Sequence, residues 1–557
     1  MNVKKEVRIF LALMVAFTVL MSVPWLVPHM GWIVLVGLLP LLIMERLATQ
    51  NHMKHFWWWH YGCFVLWNAV TTWWVAGATV GGAIFAILAN ALQMSVIFGS
   101  FRWVKKRLGG VLPYLYLAAA WMAWERFYLT IAQISWPWLV LGNAFADTTS
   151  LVQWYSVLGS MGGSLWVWTC NLALFGLMVA LSDGRMARWN GKARLAALGG
   201  TVLALFGPML WSACIHFSET GEPLHVVIGQ PNYDPYEKQG AVPRAQQDRE
   251  FLALLEQADW TQDRPTLALG PETFTRGVYT NAVTQHETFI RFQEFLRRHP
   301  QVSLLYGAIA FEPHFSYSSP DPCAYDMGPE PDGRHLWLLG HNSAILTDTS
   351  GRYSIYHKSK LVVGTELTPY PAVFVPLERL LFGGPMMGKD IGQKEVSCLP
   401  MRSIRSAQDD NVLIGSAICY ESVYGEYCTG YVRKGAQLLA VITNDAWWGD
   451  TPGYRQHLNY SRLRAIETRR WVARCGNTGV SAIIDPRGRI VSRGPWWEPA
   501  MLEGDVQLLQ GRSFFVRYGD IVGRLAVLLF AMLAAAALLR PNLLPVKGKD
   551  TRGRKRR

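Results

Sequence analysis

Seven long apolar segments follow one another up to Cys214, joined by short loops, and an eighth lies near the C-terminus. A helix that crosses a bilayer needs about 20 largely apolar residues. Stretches of that kind run over about Arg8–Val27, Gly31–Leu47, Trp57–Gly77, Gly81–Trp103, Leu112–Ile134, Gly162–Ser182, Arg194–Ile215 and Ile521–Arg540. No small-residue cleavage site follows the first, so it is read as a retained span. A chain so patterned, 51% hydrophobic with 25 tryptophans in 557 residues, is expected to be a polytopic membrane protein.

Loop charge sets the expected orientation, because Lys and Arg accumulate on the cytoplasmic side. Lys4, Lys5 and Arg8 precede the first span, Arg46 and Lys54 follow the second, and Arg102, Lys105, Lys106 and Arg107 close the fourth. Arg185, Arg188, Lys192 and Arg194 follow the sixth, and Lys547, Lys549 and the run from Arg552 to Arg557 end the chain. The alternate loops, Pro24–Met30, Thr79–Gly82 and Ser135–Met161, carry neither residue. Both termini are therefore expected in the cytoplasm, and the long stretch after the seventh span outside it. Next to a membrane span, topology and anionic lipid account for the basic tail without nucleic acid. Glu125-Arg126 reads as a charge pair inside the fifth span, expected to serve function or a buried partner. His52, His55 and His60 have no thiol or carboxylate at ligand spacing, and no metal or cofactor is expected.

From about Glu222 to Arg517 the composition is that of a globular α/β domain. Short β-rich runs occur at His225–Gly229, Thr266–Leu269, Val302–Tyr306, Ser343–Thr347, Ser354–Tyr356, Val412–Ile418, Leu438–Thr443 and Ser481–Ile484. Asp348-Thr349-Ser350-Gly351 and Pro486-Arg487-Gly488 read as hairpin turns. Phe289–Arg298 and Tyr454–Trp471 carry helical patterns. The expected division is 1–217 for the seven-span region, 218–518 for the outer domain and 519–557 for the last helix and tail. Five cysteines fall in that domain (Cys323, Cys398, Cys419, Cys428, Cys475), an odd number that leaves at least one free, and Cys419 is the expected one.

Three of the apolar runs end in groups of different chemistry. Thr266–Leu269 leads to Glu272, Tyr353–Tyr356 to Lys358, and Val412–Ile418 directly to Cys419. In an α/β layer, strand ends are where sites are built. A thiol attacking a carbonyl needs a base for its proton, a role for Glu272. The oxygen that turns negative needs donors, a role for Lys358 and the backbone N–H after Cys419. Glu366 and Glu421 are placed to hold the lysine and orient the base. Singly, each residue has a dull reading: a buried thiol, a helix cap, a solvated strand end. The combination favours catalysis.

Pro271-Glu272-Thr273-Phe274, Tyr356-His357-Lys358-Ser359-Lys360-Leu361-Val362 and Ile418-Cys419-Tyr420-Glu421 resemble the three catalytic segments of the nitrilase superfamily. Asn444-Asp445-Ala446-Trp447-Trp448-Gly449-Asp450, Gln456-His457, Arg464-Ala465-Ile466-Glu467, Asn477-Thr478-Gly479-Val480 and Ile484-Asp485-Pro486-Arg487-Gly488 narrow the resemblance. With the eight-span layout, Pro137-Trp138-Leu139 and Gly142, they are similar to the apolipoprotein N-acyltransferase family. The resemblance implies an α-β-β-α sandwich on the periplasmic face of a bacterial inner membrane, working as a monomer without cofactor. It implies a ping-pong transfer, with Glu272 as base, Lys358 as oxyanion partner and Cys419 as nucleophile. An acyl chain from a membrane phospholipid would pass through a Cys419 thioester to the α-amine of a diacylglyceryl-cysteine on an apolipoprotein. Glu366, Glu421 and Tyr420 match supporting positions, and Tyr236, Trp447 and Trp448 are the expected lipid contacts.

Two stretches depart from the family pattern. Leu361-Val362-Val363-Gly364-Thr365-Glu366 stands where Leu-Val-Pro-Phe-Gly-Glu is usual, and Gln230–Tyr236 lacks a tryptophan usual there, with Tyr233 or Tyr236 as substitutes. Leu380–Met387 reads either as a flap dipping into lipid or as a packed loop. Water in place of the amine would make the same triad a membrane-anchored amidase or lipid hydrolase. A non-catalytic transporter or scaffold would leave the three strand ends unexplained.

Overall fold

The computed structural model describes residues 3–218, 220–235, 242–261, 264–382, 387–402 and 412–540. Tyr236, the centre of the expected flap and the basic tail lie outside the described residues.

Helices occupy all eight positions where apolar length called for them. Six are long and apolar enough by themselves to cross a membrane: Lys4–Leu26, Gly31–Gln50 (broken by short turns), Val80–Lys105, Tyr155–Ser182, Gly191–Cys214 and Ile521–Leu539. The third and fifth are Phe56–Thr72, extended by a 3-10 turn to Gly77, and Leu112–Thr130, which carries Glu125 and Arg126. Those two charges do not pair with each other. Glu125 turns inward, its Oε1 accepting from Leu141 N at 2.8 Å and Trp121 Nε1 at 3.2 Å. Arg126 donates instead to Asp520 at 2.8 Å and Glu426 at 3.1 Å. Adjacent residues on a helix are about 100° apart around the axis, so each finds its own partner.

The strands are β1 (Glu222–Gln230), β2 (Thr266–Leu269), β3 (Thr275–Tyr279), β4 (Val302–Ser316), β5 (Tyr325–Pro329), β6 (His335–Asp348), β7 (Tyr353–His357), β8 (Leu399–Met401), β9 (Val412–Ile418), β10 (Leu438–Thr443), β11 (Val472–Gly476), β12 (Ala482–Ile484), β13 (Ile490–Arg493) and β14 (Ala500–Leu508). One sheet runs β14-β1-β2-β4-β6-β5, with β3 on β4 and β7 on β6; the other runs β13-β12-β11-β10-β9-β8. Strand periodicity splits each strand between two cores. Leu224, Val226 and Ile228 of β1 join Ile414, Ile418, Leu438, Ala440 and Ile442 between the sheets. Val227, Ala268 and Leu304 face the other way, against Phe251, Phe292 and Leu296 of the helices Arg244–Leu255 and Glu287–Arg298. Helices Gly425–Arg433 and Pro452–Thr468 accompany the second sheet, which completes the α-β-β-α sandwich. Both expected hairpins form, β6–β7 and β12–β13.

Helix Pro452–Thr468 seats the sandwich on the membrane half. Trp138 Nε1 donates to Gln456 Oε1 at 2.6 Å, Tyr460 OH donates to the Trp138 carbonyl at 2.7 Å, and Trp25 Nε1 donates to Tyr460 OH at 3.2 Å. Tyr420, Val423, Tyr424, Tyr460 and Leu463 belong to the same apolar cluster as the membrane helices.

Close backbone approach within the membrane half gives a test. A Cβ on Gly142 would stand 1.8 Å from the carbonyl oxygen of Ser160, a backbone atom that has no rotamer to escape with. Gly142→Ala is therefore expected to lose about 1–3 kcal/mol through overpacking, seen as a lower unfolding temperature in detergent. Gly176→Ala, where nothing lies within 4 Å, is expected to be neutral or slightly stabilising.

Candidate active site

Glu272, Lys358 and Cys419 converge where β2, β7 and β9 end. Gly307 on β4 fixes the first of them: its N–H donates to the Pro271 carbonyl at 3.0 Å, and a Cβ there would stand 2.6 Å from Glu272 Cα. Lys358 follows β7 directly, and its N–H donates to the Asn342 carbonyl at 2.8 Å. Cys419 opens a 3-10 turn with φ of 51°, in the left-handed region.

The Lys358 ammonium, 1% exposed, is 3.1 Å from Glu272 Oε1 and 2.8 Å from Glu366 Oε1. Asn342 Nδ2 donates to both of those carboxylate oxygens at 2.8 Å, locking the cluster from the side. The second oxygen of Glu272 accepts from Asn444 N at 3.0 Å, and that of Glu366 from Val362 N at 2.8 Å. Burial works to discharge Lys358, but the neighbouring Glu272 and Glu366 outweigh it and hold its pKa well above the usual lysine value. Lys358 thus stays a cation throughout the neutral range.

The thiol has the opposite bias. Burial first, and then the Glu272 charge, push the Cys419 pKa well above the ordinary thiol value, with Lys358 pulling against them. Such a cysteine holds its proton at rest. Glu421 acts differently from the expectation that it would help hold the lysine. Its Oε1 accepts from Tyr356 OH at 2.6 Å and Ser359 N at 2.7 Å, and its Oε2 from Ile418 N at 2.8 Å and Tyr431 OH at 3.2 Å. It ties the segment after Lys358 to the end of β9, fixing two strand ends rather than the ammonium.

Tyr420 and Trp448 lie at the seam with the membrane helices. The Tyr420 ring lies over Trp136 at 6.3 Å and 19°, and its OH donates to the Ser135 carbonyl at 3.2 Å. Trp448 packs on Trp74 at 4.6 Å, and the Trp447 carbonyl approaches Gly77 closely enough that a Cβ there would be 3.0 Å away. Tyr233, the other aromatic of its segment, is buried and donates to Glu250 Oε2 at 2.5 Å.

Several residues the sequence did not single out belong to the site. Asn342 sits inside β6, where nothing in the pattern marks it. Asp445 and His457 lie inside motifs read only as family signatures; with Cys419 they bring ligating atoms within 4.8 Å of one another. Both oxygens of Asp445 are engaged, by His457 Nδ1 at 2.8 Å, Thr443 Oγ1 at 2.7 Å and Arg474 Nη2 at 2.5 Å, so this trio has no free carboxylate oxygen for an ion. All eight cysteines are free.

The sequence matches the carbon-nitrogen hydrolase family over residues 262–514 and the apolipoprotein N-acyltransferase N-terminal domain over residues 17–173. An apolipoprotein N-acyltransferase of Chlorobaculum tepidum is 28% identical over 537 residues, 95% of this chain and 96% of that protein. Another from Geobacter metallireducens is 29% identical over 415 residues, 73% and 71% of the two chains. Among solved structures, Saccharomyces cerevisiae Nit3 of the nitrilase superfamily is 14% identical, covering 52% of this chain and 91% of its own, with a TM-score of 0.33. Fold, strand-end cluster and family match together define a carbon–nitrogen hydrolase domain joined to membrane helices. The chain belongs to the apolipoprotein N-acyltransferase family and is an acyltransferase.

The charge balance at Cys419 has a testable sign. Glu272→Gln removes a negative neighbour and leaves Lys358 positive, so the thiol is expected to titrate at lower pH than in the wild type, read from the pH dependence of Cys419 alkylation by iodoacetamide. The same variant is expected to lose acyl transfer by about 10²–10⁴-fold, the contribution of a general base. An unchanged or raised thiol pKa would show that the carboxylate does not act on Cys419.

Proposed function

We propose that the chain transfers an acyl chain from a membrane phospholipid, by way of a thioester on Cys419, to the α-amine of the diacylglyceryl-modified N-terminal cysteine of an apolipoprotein. The observation that carries this reading is the buried Lys358 ammonium clamped by Glu272 and Glu366 beside a protonated cysteine. That cysteine lies one residue from the aromatic seam with the membrane half, where both lipid substrates would arrive.

In the first half-reaction Glu272 takes the thiol proton as Sγ attacks an ester carbonyl of the phospholipid. The negative oxygen of the tetrahedral intermediate faces the Lys358 ammonium and the Tyr420 N–H. The C–O bond breaks, Glu272 returns the proton to the departing oxygen, and lysophospholipid leaves. In the second, the acceptor amine attacks the thioester and Glu272 takes a proton from it. The C–S bond breaks, the amide forms, and the sulfur recovers its proton from Glu272. Glu366 and Asn342 keep Lys358 in place, while Glu421 fixes the two strand ends. Tyr420, Trp447 and Trp448, with Tyr236, would line the approach of the acyl chains.

In the same reading the sandwich of residues 218–518 stands on the periplasmic face of the inner membrane, with the helices of 1–217 and 519–557 below it and both termini in the cytoplasm. The loop charges support this side. The enzyme works as a monomer.

Intact-protein mass spectrometry of the purified enzyme with phospholipid is the direct test. The wild type is expected to gain the mass of one acyl chain and Cys419→Ala none, and a diacylated lipopeptide with a free amine is expected to discharge the adduct as amide. Discharge by water alone would make the protein a hydrolase. A wild type that neither gains the adduct nor acylates the lipopeptide would end the acyl-transfer reading.

A further inference from the structure

Cys419 is not merely at a strand end; it is held in a conformation that a non-glycine residue adopts at a cost. With φ of 51°, it occupies left-handed space that a side chain enters only at a cost in energy. Such a geometry persists only when surrounding bonds impose it. Here the bonds fall on the Cys419 carbonyl, which accepts from Ser422 Oγ at 2.8 Å and lies 3.0 Å from His457 Nε2.

His457 is fully buried, between the rings of Trp138 at 5.8 Å and Trp448 at 5.7 Å. Its Nδ1 is 2.8 Å from Asp445 Oδ1, whose other oxygen is held by Arg474. Burial would favour the neutral Asp445 carboxyl, but His457 and Arg474 override it and keep the pKa below the usual aspartate value. A carboxylate and a carbonyl are both acceptors only. His457 Nε2 also lies 3.0 Å from Ser422 Oγ, so the imidazole, the hydroxyl and the carbonyl form one tight group behind the Cys419 peptide. Nδ1 is thus directed to Asp445 and Nε2 to the backbone carbonyl of Cys419 and the Ser422 hydroxyl.

We infer that His457, oriented by Asp445, is a positioning residue that aims the oxyanion donor. The carbonyl of Cys419 and the N–H of Tyr420 share one rigid peptide plane and point in opposite directions. Holding the carbonyl from behind therefore fixes the direction of that N–H, which in the proposed function meets the negative oxygen. The inference rests on that function only in requiring an acyl transfer through Cys419. The competing, purely structural role is a buried histidine that fills space between two tryptophans.

The test compares two reactions of the same sulfur in the full-length protein in detergent. Acylation by a p-nitrophenyl ester, read as the burst of p-nitrophenolate, needs the oxyanion donor; alkylation by iodoacetamide does not. His457→Gln puts an amide N–H near the place of Nε2–H, His457→Leu removes the donor, and Ser422→Ala removes the other donor to the same carbonyl. Expected are a burst rate within about 10-fold of wild type for Gln, a loss of about 100-fold for Leu and a loss of several-fold for Ser422→Ala, with alkylation within about twofold throughout. Alkylation falling in step with the burst, Gln falling as far as Leu, or bursts that stay at the wild-type rate would each overturn the inference. If His457→Leu does not fold, the Gln and Ser422→Ala variants still decide it by the same split. Wild type acylated by the ester but not by phospholipid would count against the donor in the proposed function and leave this readout intact.

Discussion

The site depends on one buried cation. Removing an ammonium from water is expensive, and a lone one would shed its proton. Lys358 keeps its charge because Glu272 and Glu366 share it from two sides and Asn342 bonds both carboxylates. The arrangement also restrains its members: Glu272, the proposed base, is held by Lys358, Asn342 and Asn444. Burial, and after it the negative charge of Glu272, raise the pKa of the nearby thiol.

Around this cluster, each neighbouring strand contributes something the cation or the cysteine needs. β4 supplies Gly307, whose missing side chain lets the backbone before Glu272 pass closely. β6 supplies Asn342 and β10 leads to Asn444 and Asp445. The sulfur stands where the second sheet meets the seat on the membrane helices, so packing of helix Pro452–Thr468 against Trp138 and Trp25 bears directly on the geometry at the thiol.

Much of this was legible in the sequence, for physical reasons that also mark the limit. β2, β9 and β10 are short and mainly apolar, and their ends coincide with those expected. β11 was missed because Arg474 stands in its middle, a charge that the pattern reads as surface and the fold buries against Asp445. β4 and β6 run on beyond the expected ends as a two-stranded arm over 311–316 and 335–340, in which Glu312, Pro313, His314 and His335 interrupt the apolar residues Phe311, Phe315, Leu336 and Trp337. Glu272, Lys358 and Cys419 announced themselves as reactive groups after apolar runs. Asn342 and His457 could not, since what makes them part of the site is contact across some 70 and 38 residues of chain. Glu125-Arg126 shows the same limit: adjacency in sequence suggested a pair, and the helix turned the two to different partners.

Arg126 has a mechanical consequence. It rises from the fifth membrane helix to Glu426 at the start of helix Gly425–Arg433, and to Asp520, whose side chain caps the last membrane helix. Helix Gly425–Arg433 begins two residues after the turn that opens on Cys419. Two membrane helices and the turn that opens on Cys419 are therefore fastened at one point, like legs under a common hinge. Helices tilt to match the thickness of the bilayer around them, so the height of the sulfur above the hydrocarbon is referred to the helices and not to the sandwich. The thickness of the bilayer, by setting the tilt of these helices, then bears on the geometry of that turn.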